Sequence, residues 1–327
     1  MKLQRRVLGL APALAALALW GCGPQATTPP AGGDGKAPVA GAAKNVTIGL
    51  SQCNLGEPWR VQMNKDIEEE AAKHPEIKLI AVDAQNKSET QQQQVRDLIQ
   101  QKVSLIIISP KESRPLTRPV EEAMDAGIPV IVLDRKLQGD KYTCFIGGDN
   151  VKIGREAGKY MTQLLGGKGE IVELRGLMTS TPAKDRHDGF MEGLKGSSIK
   201  VVFDADCKWL EGDAQREMNS ALSTHPKIDA VYGHNDPSAH GAYTAARSEG
   251  KGREKQIKFV GIDGLPGEGQ RYVKDGILAA TFQYPTGGKE GILNALKILN
   301  HEQVEKNITL GTRIYTAETI SQGGKEL

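Results

Sequence analysis

Residues 103–135 read VSLIIISPKESRPLTRPVEEAMDAGIPVIVLDR. Two largely apolar runs, Val103–Ser109 around Leu105–Ile108 and Val130–Leu133, bracket a segment, Pro115–Ala126, whose apolar residues fall at helical spacing. A strand with one wet face alternates apolar and polar residues, whereas one that is apolar at consecutive positions is covered on both faces. The stretch therefore reads as strand, helix and parallel strand. It ends on Asp134 and Arg135, two charged residues placed where a buried strand emerges.

The same unit recurs in both directions. Upstream lie Val46–Leu50 and Ile77–Val82; downstream lie Cys144–Ile146, Glu170–Leu174, Ile199–Phe203, Ala230–Tyr232, Lys258–Ile262 and Leu278–Phe282. Helix-spaced segments fall between them at Pro58–Lys73, Glu89–Gln101, Asn150–Leu165, Asp185–Lys195, Asp213–Leu222 and Ser238–Glu249. The strands divide into two sets of five, which predicts an α/β fold of two doubly wound, Rossmann-like parallel-sheet lobes.

The N-terminus belongs to neither lobe. Lys2, Arg5 and Arg6 precede an apolar stretch, Val7–Leu19, shorter than the roughly 20 residues a membrane-spanning helix needs. Residues 1–21 read as an export signal. Leu19-Trp20-Gly21-Cys22 resembles a bacterial lipobox with Trp20 in place of the usual small residue, which makes Cys22 the lipidation site and predicts a membrane anchor. An ordinary cleaved signal, with Cys22 an incidental thiol, is the alternative. Residues 22–44, rich in Pro, Gly, Ala and Thr, read as a flexible tether.

Loss of Lys2, Arg5 and Arg6 turns the formal net charge of +2 into −1. With no dense basic run in the body, nucleic acid is an unsuitable partner. Cys53, Cys144 and Cys207 are odd in number and lack metal-ligand spacing with histidine, so they read as small buried hydrophobes. His234 and His240 are also off helical metal spacing and read as solvated or capping.

Open parallel sheets bind ligands beyond the carboxyl ends of their strands. In the first half those positions hold Ser51, Gln52, Asn54, Asp83, Ser109, Asp134 and Arg135; in the second, Arg175, Asp204, Asp206, Asn235, Asp236, Asp263 and Gln283. Carboxylates, guanidinium groups and amides together suit a ligand with many hydroxyls, which donate to the first and accept from the others. Any one such Asp serves equally well as a helix cap. Trp59 and Trp209 stand near these ends, where flat rings suit the C–H faces of a sugar; packing against a helix is the other reading of Trp59.

From about residue 45 to its end, the chain resembles the ribose-type (LacI-like, type I) periplasmic sugar-binding proteins of ABC transporters. The resemblance is carried by Gly49–Ser51 leading to Pro58-Trp59, Ile128–Arg135, Gly148-Asp149-Asn150, Arg186–Phe190, His234-Asn235-Asp236, Gly261–Gly264 and Leu278–Thr281. It implies sugar contacts at Asp134, Arg135, Arg186, Asn235 and Asp263, aromatic platforms at Trp59 and Trp209, and a hinge-side contact at Gln283, where the local spacing is one residue short. Glu57 and Arg60 depart from the ribose-binding pattern. Trp59-Arg60 instead looks like the galactofuranose-binding branch, so Glu57 and Arg60 join the expected ligand set.

The resemblance further implies a monosaccharide, pentose or hexose and in furanose form on this branch, held without a cofactor, and delivery to a permease and its ATPase. It places a monomer in the periplasm or cell envelope. The lobes are expected at residues 45–148 with 285–311 and at 149–284 with 312–327, crossing near Gly148–Asn150, Tyr284–Gly288 and Leu310–Arg313. A sensor or chemoreceptor reading the closed form is the alternative to a permease. A repressor needs a helix-turn-helix where this chain has a signal. Enzyme motifs are absent, and a glycosidase built on Asp134 and Asp263 is disfavoured because a carboxylate beside arginine stays ionised.

Overall fold

The computed structural model describes residues 45–327; the signal, Cys22 and the tether lie outside the described residues. In the first half the chain alternates β1 (Val46–Gln52), α1 (Pro58–Ala71), β2 (Ile77–Asp83), α2 (Ser88–Gln100), β3 (Leu105–Ser109), α3 (Ser113–Asp125), β4 (Val130–Leu133) and β5 (Cys144–Gly148). The second half continues with α4 (Asn150–Leu164), β6 (Lys168–Arg175), α5 (Thr181–Gly193), β7 (Ser198–Asp206), α6 (Glu211–Thr224), β8 (Ala230–Gly233), α7 (Asp236–Ser248), β9 (Lys258–Asp263), α8 (Gly269–Lys274) and β10 (Ala280–Gln283). It closes with α9 (Gly288–Leu299), β11 (Asn307–Leu310), β12 (Arg313–Thr316) and β13 (Lys325–Glu326).

Two sheets result. The first runs β11-β5-β4-β3-β1-β2 and the second β13-β12-β10-β9-β8-β6-β7. All neighbours pair parallel except β12, which pairs antiparallel with β10 and β13. Each sheet repeats one order, with its first strand between its second and third, so each has a switch point where neighbouring connections depart to opposite faces. Those crevices, between β1 and β3 and between β6 and β8, fix where the site forms. Strands β3 and β4 are buried along their whole length, as continuous apolar runs require.

Strands β11 to β13 escaped the sequence reading because they lack that pattern: β11 alternates exposed and half-buried residues, and β13 is exposed. Asp204 also differs from expectation: it lies inside β7, which Asp206 ends, and pairs with Arg175. Cys53, Cys144 and Cys207 are buried and unpaired, and burial pushes the Cys144 thiol up to about 11 and the Cys207 thiol up to about 12.

Helices α4 and α5 pack backbone against backbone. A Cβ on Gly154 would stand 2.3 Å from the Arg186 carbonyl oxygen, and one on Gly189 would stand 2.2 Å from that of Val151. Only hydrogen at both positions permits this approach, which brings Arg186 beside Asn150 at the start of α4.

Candidate functional site

The carboxyl ends of both sheets face one small cavity, lined by Glu57, Trp59, Arg60, Asp134, Arg135, Pro182, Arg186, Trp209, Asn235, Asp263 and Tyr284. Nine of the ten ligand positions expected from sequence are there. Gln283 is not. It borders neighbouring grooves, while Tyr284, one residue on, lines the cavity. Successive side chains of extended backbone point to opposite sides, so a displacement of one residue exchanges the two. Tyr284 and Pro182 are the lining residues that sequence reasoning missed.

On the first lobe, Asp134 is the electrostatic centre. Arg60 donates to its carboxylate at 2.6 Å and to Ser109 Oγ at 2.7 Å. The Tyr284 hydroxyl donates to Asp134 Oδ1 at 2.9 Å, and Arg135 Nε stands 3.5 Å from Oδ2. Burial would raise the Asp134 pKa, but Arg60, Arg135 and the Tyr284 hydrogen bond hold it below the usual carboxylate range. Arg135 Nη1 donates to the Lys111 carbonyl at 2.9 Å, yet among the described residues the Nε atoms of Arg60 and Arg135 have no hydrogen-bond acceptor. Buried donors left unpaired are a cost that an incoming acceptor removes.

Trp59 sits at the start of α1, which Pro58 begins without a side-chain cap. Its indole N–H donates to the Tyr284 carbonyl at 2.8 Å, and the two rings lie 5.2 Å apart. The ring thus lines the cavity and also ties α1 to the segment after β10. Glu57 is buried and accepts from Asn54 Nδ2 at 2.9 Å.

On the second lobe, Arg186 Nε donates to Asn150 Oδ1 at 2.9 Å, Nη1 donates to the His234 carbonyl, and Asp263 Oδ1 stands 3.8 Å away. Among the described residues the Asp263 carboxylate has that longer ion pair as its only side-chain partner. Burial raises its pKa well above the usual range against the pull of Arg186, with Asp236 raising it further. Arginine thus lowers the Asp134 pKa, whereas at Asp263 desolvation outweighs the more distant guanidinium and the pKa rises. Asn235 caps α7 through its oxygen, and its Nδ2 donates to the Trp209 carbonyl at 3.0 Å.

Trp209 packs on the backbone of Gly176, where a Cβ would fall 2.3 Å from the indole ring. Arg135 and Arg186 stand 5.7 and 5.3 Å from its ring centroid, and its buried N–H has no partner. Asp134 (φ 65°), Trp209 (φ 73°) and Asp263 (φ 122°) adopt positive φ without being glycine. Each costs of order 1–3 kcal/mol, a strain that gathers where side chains are aimed for function.

His234 is neither solvated nor capping. It is fully buried, with Nε2 at 2.9 Å from Glu173. His240 is also no cap: it lies flat against Tyr272, with ring centroids 4.4 Å apart, and 2.7 Å from Glu211. Among the described residues no group of three or more His, Cys, Asp or Glu side chains is placed to hold a metal ion.

Residues 48–303 match the family described as periplasmic binding protein domain. The chain is 34% identical over 279 residues to the ribose import binding protein RbsB of Bacillus subtilis, covering 85% of this chain and 89% of that protein. It is 32% identical over 232 residues to the galactofuranose-binding protein YtfQ of Escherichia coli, covering 68% and 73%. Among solved structures, the fructose-binding periplasmic domain of a hybrid two-component system superposes with a TM-score of 0.82 at 43% identity, covering 85% of this chain and 93% of that domain.

Proposed function

The chain belongs to the periplasmic binding protein family, and from that premise we propose that it is the substrate-binding component of an ABC transporter, capturing one monosaccharide between its lobes and presenting the closed form to a membrane permease and its ATPase. The observation that carries this reading is the convergence of three guanidinium groups, three carboxylates and two indoles from both sheets on one small cavity. A small cavity lined by residues of both lobes suits a single sugar ring better than an oligosaccharide.

Asp134 accepts sugar hydroxyls while Arg60, Arg135 and Arg186 donate to ring and hydroxyl oxygens. Asp263, whose carboxylate has only the 3.8 Å ion pair to Arg186 among the described residues, accepts further hydroxyls from the ligand. Trp59 offers a flat face and Trp209 its N–H. Glu57 and Asn235 complete the edge contacts. The lobes, 45–148 with 285–311 and 149–284 with 312–327, close about the segments near residues 148–150, 284–288 and 310–313. Ligand contacts from both lobes favour the closed population.

A furanose or a ketohexose is the preferred ligand, supported by the galactofuranose-binding relative and the fructose-binding domain. We place the protein in the periplasm or cell envelope as a monomer without enzymatic activity, anchored by lipid on Cys22. A second reading, a sensor component, is favoured by the 43% identity to a domain of a hybrid two-component system. A thermal-shift screen of aldoses, ketoses, furanosides and cyclitols tests the proposal. One or a few sugars are expected to raise the melting midpoint, since ligand at a hundred times its Kd stabilises by about 2.7 kcal/mol; a flat response to all of them contradicts it.

A further inference from the structure

We infer that Glu173, which lies outside the cavity, is a positioning residue for ligand capture, fixing through His187 and His234 the neighbouring residues Arg186 and Asn235 that form the second lobe's side of the site. The inference rests on that cavity being the sugar site. Glu173 interrupts the buried run of β6 and is only 1% exposed. A carboxylate there is tolerated only with partners, and it has two. His187 Nδ1 stands 2.9 and 3.0 Å from its two oxygens, and His234 Nε2 stands 2.9 Å from Oε1.

Sequence adjacency gives the arrangement its consequence. His187 follows Arg186 on α5, and His234 precedes Asn235 at the end of β8. Arg186 Nη1 also donates to the carbonyl of His234. One carboxylate thus ties β6, α5 and the β8–α7 turn together directly behind two cavity-lining side chains. Tyr232, stacked on Phe190 at 3.9 Å, seals the network from the core side.

The charge states agree with this geometry. Burial would raise the Glu173 pKa, but the hydrogen bonds from the two imidazoles bring it down to about 2. The Glu173 hydrogen bond raises His187, which Arg175 and Asp188 also face, while burial lowers His234, which Arg186 faces. An anionic carboxylate accepting from a neutral His234 and from His187 in either protonation state is the resulting arrangement.

Glu173→Gln tests the role. The carboxamide keeps the volume but presents an NH₂ group where one imidazole N–H must point. In ligand-free protein, NMR is expected to show hydrogen exchange at Arg186 Nε–H about tenfold faster in this variant and the His187 pKa lowered; Kd for D-fructose, the probe, rises about tenfold. Glu173→Asp, which keeps the charge, falls between. A lowered melting midpoint with exchange at Arg186 and Kd both unchanged is what a merely structural carboxylate gives, and overturns the inference. If the wild type binds no D-fructose, that sugar assignment fails while the exchange rate alone still decides this one. Should Glu173→Gln not fold, His187→Gln at its partly exposed position replaces it, and unchanged exchange at Arg186 there overturns the role.

Discussion

At the scale of single residues, the site rests on two carboxylates in opposite electrostatic situations. Asp134 is ionised and held by Arg60, Arg135 and Tyr284. Asp134→Asn removes the charge that these donors share, so sugar affinity is expected to fall at least tenfold in calorimetric titration, consistent with charged hydrogen bonds worth about 1.5–3 kcal/mol each. Its lowered pKa also fixes a sign: Asp134 contributes stability above the unfolded value of about 3.9, lost as pH falls through the folded value. Asp263 behaves inversely. Its raised pKa means that the ligand-free fold holds a proton the unfolded chain has released, so stability declines as pH rises from about 4 toward that raised value. Asp263→Asn is therefore expected to flatten the ligand-free decline in melting midpoint between pH 5 and pH 8 while weakening sugar binding. A variant whose midpoint falls with pH as steeply as the wild type contradicts the assignment. Asp134 and Asp263 were legible because each ends a buried strand; the burial of His234 was not, because its partner Glu173 lies 61 positions away in sequence.

At the scale of elements, the contact between α4 and α5 places Arg186. Gly189→Ala drives a methyl group into the Val151 carbonyl and separates the helices. A cost of about 1–3 kcal/mol is expected from overpacking, together with weaker sugar binding as Arg186 leaves Asn150. Gly212→Ala in α6, where the added atom meets open space, is the control and is expected to be neutral or stabilising by about 0.4–1 kcal/mol. Equal losses in both variants, read by chemical denaturation, refute the packing argument. The elements the sequence revealed are those with continuous apolar runs or helix spacing over several turns. Helix α9, twelve residues with helix-spaced apolar positions, was legible and passed over, whereas α8 with six residues, β13 with two and the half-exposed β11 were missed for want of a pattern. Such short elements are ordered by the sheet they join, a tertiary effect that local pattern does not carry.

At the scale of the molecule, repetition made the fold legible: ten apolar runs in two sets foretold two parallel-sheet lobes, and the polar residues expected beyond the strand ends of both halves foretold one ligand site. Beyond the sequence's reach was the exchange of Gln283 for Tyr284, decided by which side of an extended segment faces inward. The anchor proposed on Cys22 is expected to act independently of the body, because the composition of residues 22–44 predicts a tether that transmits no strain. Cys22→Ser is expected to move the protein from the membrane fraction to the soluble one with unchanged Kd, and retention after a high-salt wash refutes lipidation. Capture by lobe closure remains the central claim, and small-angle X-ray scattering with and without the sugar selected by the thermal screen tests it most directly. The radius of gyration is expected to shrink on saturation; the same radius in both samples, with calorimetry showing the site filled, would contradict closure.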